Sequence, residues 1–254
     1  MKTLILDIET APSIAYVWDF WQQNIQHDSV IDYQGYIMCF AYSWLGDNHI
    51  HCLENRTDND KNLVSEILGL LDEADFVVAH NGKKFDIPFI KARAVIHGLN
   101  PPSPFKVIDT LQIAKKEMNF KRNSLEFLAQ TLGVGEKLKH NNFPGIKLWD
   151  ECIKGNDEAW KEMTKYNMQD VSILEKVYIK LRSWYSNHPN ITISDNKPYM
   201  CCPKCGSSQL HRRGFYYTNK GQYQRYKCLD CGGWSAETYT ANTIEQRKRL
   251  LTSK

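Results

Sequence analysis

Short apolar runs that end in acids set the tightest limit on how this chain can fold. Leu4-Ile5-Leu6 leads straight into Asp7-Ile8-Glu9-Thr10, and Phe76-Val77-Val78-Ala79 leads into His80-Asn81-Gly82-Lys83-Lys84-Phe85-Asp86. Short continuous apolar runs of this kind are buried strands, which need cover on both faces. Side chains two apart on a strand share a face, so Asp7 and Glu9 project together while Ile8 turns into the core. Two neighbouring acids repel unless a cation lies between them. Taken alone, an acidic strand end is an ordinary exposed feature, and Asp86 is equally well a helix N-cap before Pro88.

Other elements follow from period and punctuation. Two strands are expected near residues 36–45 and 49–53, then a helix over 60–72 with Leu63, Ile67, Leu70 and Leu71 on one face. Pro88 falls in the first turn of the next helix, and Pro101-Pro102-Ser103-Pro104 breaks the chain before a strand at 106–108. Asp109 or Thr110 opens one helix, and Ser124 opens another that Gly133 ends. Residues 134–155 read as irregular, and a long helix is expected over 156–186. Residues 11–34 hold Tyr16, Trp18, Phe20, Trp21 and Tyr33 without a period. They are expected to pack on the core beneath a long loop, the alternative being base stacking by Trp18 and Trp21. The fold class is α/β, a mixed sheet flanked by helices.

The long helix carries the most informative pair. Tyr166 and Asp170 lie four apart, on one helical face. The apolar stripe runs through Trp160, Met163, Val171, Leu174, Val177, Leu181 and Trp184, and Asn167 and Asp170 occupy stripe positions. An inward carboxylate is costly unless it is paired or binds metal.

Asp7, Glu9, Asp86 and Asp170 therefore form a candidate oxygen-ligand set, suited to magnesium or manganese. Two such ions would activate a water and stabilise both oxygens of a phosphodiester displacement. Asp7 is assigned as the bridging ligand. Glu9 and Asp170 join it on the ion that activates water, and Asp86 completes the second ion's shell through water. Tyr166 orients the attacking water, because a phenol of ordinary pKa, about 10, is a poor base at neutral pH.

Asp7-Ile8-Glu9-Thr10, the Asn81–Asp86 run and Tyr166-Asn167-Met168-Gln169-Asp170 resemble, in order and spacing, the three motifs of DnaQ-like 3′→5′ exonucleases of the tyrosine-containing DEDD subgroup. The middle motif is most similar to that of family B DNA polymerase proofreading domains. The resemblance covers residues 1–186. It implies a ribonuclease H-like fold, two-metal hydrolysis, and release of nucleoside 5′-monophosphates from a free 3′ end. By the same resemblance Thr10, Asn81 and Phe85 seat the terminal nucleotide, and Asp109 is structural. DNA is the expected substrate, with a polymerase or a replication or repair protein as a partner. With no room for a polymerase domain, a free-standing nuclease is the simpler expectation. An RNA-trimming enzyme and a catalytically idle binding protein are the alternatives.

Cys202-Pro203-Lys204-Cys205-Gly206 and Cys228-Leu229-Asp230-Cys231-Gly232 stand 22 residues apart. Two such knuckles read as one structural Cys₄ zinc site, with Cys201 a spare thiol. Cys39, Cys52 and Cys152 read as small buried or half-buried residues of a reducing compartment. The net charge of +3 hides an asymmetry: residues 197–254 hold 11 of the 32 bases and three of the 29 acids, a formal +8, against −5 for residues 1–196. Between the knuckles Arg212, Arg213, Arg225 and Lys227 alternate with aromatic residues, as a surface that contacts phosphates and stacks bases requires. A half-buried, solvated hairpin is the plainer alternative. The RYKCLDCG stretch resembles zinc ribbons of transposase-associated DNA-binding modules. The expected organisation is a nuclease domain at 1–187, a linker at 188–198, a zinc ribbon at 199–240 and a basic tail at 241–254. With no membrane-length apolar run, the chain reads as cytoplasmic.

Overall fold

The computed structural model describes all residues except 20, 22–23, 26, 33–34, 137–141, 195–198 and 252–254. Phe20, Tyr33 and part of the expected linker lie outside the described residues. The chain divides into two compact units, Lys2–Tyr178 and Ile179–Lys254, the second also counting Met1. Among the described residues no helix is long and apolar enough to cross a membrane.

In the first unit, β1 (Thr3–Thr10) is followed by β2 (Ile14–Ala15), β3 (Val30–Asp32), β4 (Ile37–Trp44), β5 (His51–Glu54), α1 (Lys61–Glu73) and β6 (Phe76–Ala79). Then come α2 (Asp86–Ile96), β7 (Lys106–Asp109), α3 (Thr110–Glu117), α4 (Leu125–Thr131), α5 (Lys147–Ile153) and α6 (Asp157–Leu181). The main sheet has the order β5-β4-β1-β6-β7. β1 runs antiparallel to β4 and parallel to β6, so the sheet is mixed, with β1 at its centre. This is the ribonuclease H-like arrangement, as expected.

The central place of β1 explains its composition. Leu4, Ile5 and Leu6 are wholly buried, and Leu4, Leu6 and Ile8 join Leu63, Val64, Ile67 and Leu71 of α1 and Ile87 and Ile90 of α2 in one apolar layer. By alternation, Asp7 and Glu9 face the other side. On that side Met38 and Cys39 cluster with Leu148 and Cys152 of α5 and Trp160 and Met163 of α6.

Three expectations need correction. The stretch 134–155 contains α5, a seven-residue helix whose Leu148 and Cys152 are buried. The long helix stops at Leu181, because its apolar stripe ends there: Trp184 is 73% exposed. The rings described within residues 11–34 do not pack on the core. Tyr16, Trp18 and Trp21 are exposed, since the short β2–β3 pairing offers no sheet face to cover them.

The second unit carries β8 (Leu210–Thr218), β9 (Gly221–Cys228) and β10 (Trp234–Thr240) in an antiparallel sheet of order β10-β9-β8. After it, Thr243 and Gln246 form a capping box on α7 (Ile244–Arg249), whose last turn holds Arg247, Lys248 and Arg249.

Candidate active site and cysteine cluster

The sheet brings together acids far apart in sequence. One carboxylate oxygen each from Asp7, Glu9 and Asp170 lies within 4.8 Å of the others. Asp170 is only 4% exposed. The donors are all hard oxygens, and three carboxylates this close repel strongly unless divalent cations neutralise them. The set therefore fits magnesium or manganese.

Asp86 stands outside that group of three. It opens α2, is 2% exposed, and accepts a hydrogen bond at 3.3 Å from the N–H of Ile8. Its carboxyl thus rests against the peptide that joins Asp7 to Ile8. Burial pushes its pKa up to about 7; N–H groups of its own backbone and of Ile8 oppose the rise, and nearby Asp109 adds to it. The turn before α2 is held from below. Asp109 caps α3 through Gln112 N and also accepts N–H bonds from Asn81 (3.1 Å) and Lys83 (3.2 Å). Asn81 takes a left-handed φ of 70°, and a Cβ on Gly82 would lie 2.4 Å from the Ala79 Cβ. Only glycine fits there. Phe85, 42% exposed, is left available at the surface of this turn. Thr10 lies half-buried at the end of β1, where the register with β4 shifts.

Tyr166 is buried one helical turn before Asp170, and its ring meets the edge of Trp149 from α5 at 6.1 Å. Sequence reasoning missed Trp149, because it lies in the stretch read as irregular. It also gave no role to Asn167, although a polar residue on an apolar stripe was the available signal. Asn167 is wholly buried; its Nδ2 donates to Asp7 Oδ2 at 2.8 Å and to Asp7 O at 3.4 Å. Its Oδ1 in turn accepts from the thiols of Cys39 (3.4 Å) and Cys52 (3.9 Å). The hydrogen bond with Cys52, together with burial, holds the Cys39 pKa well above the usual range, so it stays a thiol donor.

In the second unit the sulfurs of Cys202, Cys205, Cys228 and Cys231 all lie within 4.8 Å of one another. Cys202 and Cys231 are 3.7 Å apart and Cys205 and Cys228 3.6 Å. A tetrahedral zinc with bonds of roughly 2.3 Å sets its sulfurs about 3.8 Å apart, so the donors fit zinc. Gly206 and Gly232 follow the second cysteine of each knuckle with φ of 78° and 74°, which favours glycine. Burial opposes ionisation of Cys228, yet the N–H groups of Cys231 and Asp230 and neighbouring thiols outweigh it and bring its pKa down to about 7. Cys201 lies outside the group of four.

The four basic candidates of the ribbon do not share one surface. Arg225 and Lys227 alternate onto one face of β9. Arg212 pairs with Tyr226 and falls on the other. Arg213 lies in the irregularity between Arg212 and Phe215, where its carbonyl accepts from Arg225 Nε at 2.8 Å.

A mixed five-stranded sheet with acids converging from its central strand and last helix defines a nuclease fold of the ribonuclease H type. The chain belongs to the RNase H superfamily, whose family model matches residues 24–182. It is similar to a DNA polymerase of Methanocaldococcus jannaschii, 29% identical over 140 residues that cover 47% of this chain and 8% of the relative. Its fold is also similar to that of the family B DNA polymerase from the hyperthermophilic archaeon Pyrobaculum calidifontis. That match has a TM-score of 0.54 at 14% identity, over 72% of this chain and 25% of the other. The chain thus spans a minor part of each relative.

Proposed function

We propose that this chain is a two-metal-dependent 3′→5′ exonuclease that hydrolyses DNA to nucleoside 5′-monophosphates, with the ribbon assisting substrate binding. The observation that carries this reading is the convergence of Asp7, Glu9 and Asp170, with Tyr166 one turn from Asp170 on the same helix. Magnesium or manganese held by these acids, with Asp86 beside them, would supply an activated water and charge neutralisation at the phosphate. Asp7, Glu9 and Asp170 are the ligands, and Asn167 keeps the Asp7 carboxylate turned towards the site. Tyr166, braced by Trp149, orients the attacking water with its hydroxyl. Phe85 offers a ring to the terminal base, and Thr10 and Asn81 lie at the C-terminal ends of the neighbouring parallel strands β1 and β6. Similarity to DNA polymerases supports DNA as the substrate and a polymerase as a partner.

A cleavage assay with 3′- and 5′-labelled DNA and matching RNA tests the reading, run with magnesium, with manganese and with chelator. Metal-dependent shortening from the 3′ end is expected, DNA before RNA. Asp7→Ala and Asp170→Ala should be inactive yet folded; activity retained in either sinks the metal assignment. Preferred cleavage of RNA would make the chain an RNA-trimming enzyme. Binding without cleavage under any metal would leave a nucleic-acid-binding protein.

A further inference from the structure

We propose that one face of the ribbon, carrying Tyr216, Arg225 and Trp234, is a site for unpaired bases of a single nucleic-acid strand. The proposal rests on the reading that the ribbon contacts nucleic acid, and narrows it to one face and one strand form.

Strand register separates the two faces. Trp234 lies opposite Lys227, Ala236 opposite Arg225, and Tyr216 opposite Tyr223. Residues directly opposite share a face, so Tyr216, Tyr223, Arg225, Lys227 and Trp234 look one way. The Arg225 guanidinium sits over the Trp234 ring at 4.8 Å while its Nε is tied to Arg213 O. That leaves a cation and an indole fixed together, with little entropy left to lose on binding. Trp234 is 45% exposed and Tyr216 55%, although large aromatics gain most from burial. Between them lies a recess of about 420 Å³, also bordered by His188 and Lys204, and among the described residues no acid lines it. The opposite face differs in chemistry: there Tyr226 OH donates to Glu237 at 2.7 Å, and the acid faces Arg212's side of the sheet.

Charge and shape together select the occupant. The basic balance of residues 197–254 favours a polyanion. Exposed rings add affinity only where bases are unstacked, because a duplex turns its bases inward and offers such a face phosphates alone. The observations therefore favour a single strand, with rings for bases and Arg225 and Lys227 for the phosphates beside them.

Fluorescence anisotropy of the full chain tests this, without added divalent cation, using labelled 12-mers of oligo(dT) and oligo(rU) and a 12-base-pair duplex. Trp234→Ala and Tyr216→Ala should weaken single-strand binding roughly tenfold each and duplex binding less than about twofold, while Trp234→Phe retains most affinity. Lys227→Ala should lower single-strand and duplex affinity by one common factor. A loss confined to one of the two single strands supports the site and identifies its sugar. Equal losses on duplex and single strand in Trp234→Ala overturn the base site and leave the ribbon as a plain phosphate contact. If the aromatic variants and Arg212→Ala and Lys227→Ala all bind as the parent does, the ribbon makes no contact, and the underlying reading falls with the proposal.

Discussion

Two buried side chains beside the acids make the sharpest tests. Asn167 connects the Cys39 and Cys52 thiols to Asp7, so its amide fixes one carboxylate of the site. Asn167→Leu removes the donor while filling the space. Manganese affinity, followed by electron paramagnetic resonance, should fall about tenfold, the scale on which supporting hydrogen bonds to metal ligands act. Unchanged metal affinity would reduce Asn167 to a packing residue. Asp86 gives a pH test. Its folded pKa of about 7 lies above the ordinary carboxylate value, so the folded state holds the proton more tightly. Its contribution to stability is complete below about pH 4 and is lost as pH rises through about 7. Without added divalent cation, Asp86→Asn should melt higher than the parent at pH 8 and gain nothing at pH 4. An equal shift at both values would mean that the Asp86 pKa is not raised by folding. The acids themselves were legible as residue types. Their partners were not, since nothing in a sequence assigns the far end of a hydrogen bond.

At the scale of elements, α1, α2 and the start of β4 are tied by one buried carboxylate. Asp60 precedes α1 without capping it by its side chain. It receives Arg93 Nε and Nη2 at 2.6–3.0 Å, the Ile37 N–H at 2.8 Å, and His97 Nε2 at 2.6 Å. Burial alone would raise its pKa, but Arg93, the Ile37 N–H and His97 outweigh that and hold it below the usual carboxylate range. Removing one partner of such a network strands the other, so Asp60→Ala should cost about 3 kcal/mol in denaturant unfolding. A loss under about 1 kcal/mol would show that Arg93 and His97 find other partners. The helix α1 itself was readable from Leu63, Ile67 and Leu71, whose spacing needs no tertiary knowledge. α5 was not: its seven residues are too short for a period to declare itself, and Leu148 and Cys152 are buried only because α6 and β4 are there.

At the scale of the molecule, the two compact units differ in what stabilises them. Lys2–Tyr178 has two apolar layers about a central sheet. The ribbon has little apolar interior, so metal binding should supply much of its folding free energy. Stripping zinc with a strong chelator should expose residues 199–240 to limited proteolysis while the sheet unit persists. A ribbon as protease-resistant without zinc as with it would show a fold independent of the metal.

What could be read directly was chemistry and local period: oxygen donors at strand ends, thiols in paired knuckles, a helix with an acid and an amide on its apolar stripe. Those follow from residue type and from repeats of 2.0 and 3.6. Only the tertiary structure decided that Asp7 and Glu9 meet Asp170, because sheet order and helix packing are set by contacts distant along the chain. It likewise put Arg225 and Arg212 on opposite faces, since register across β9, with its irregularity between Arg212 and Phe215, fixes which side each strand residue takes.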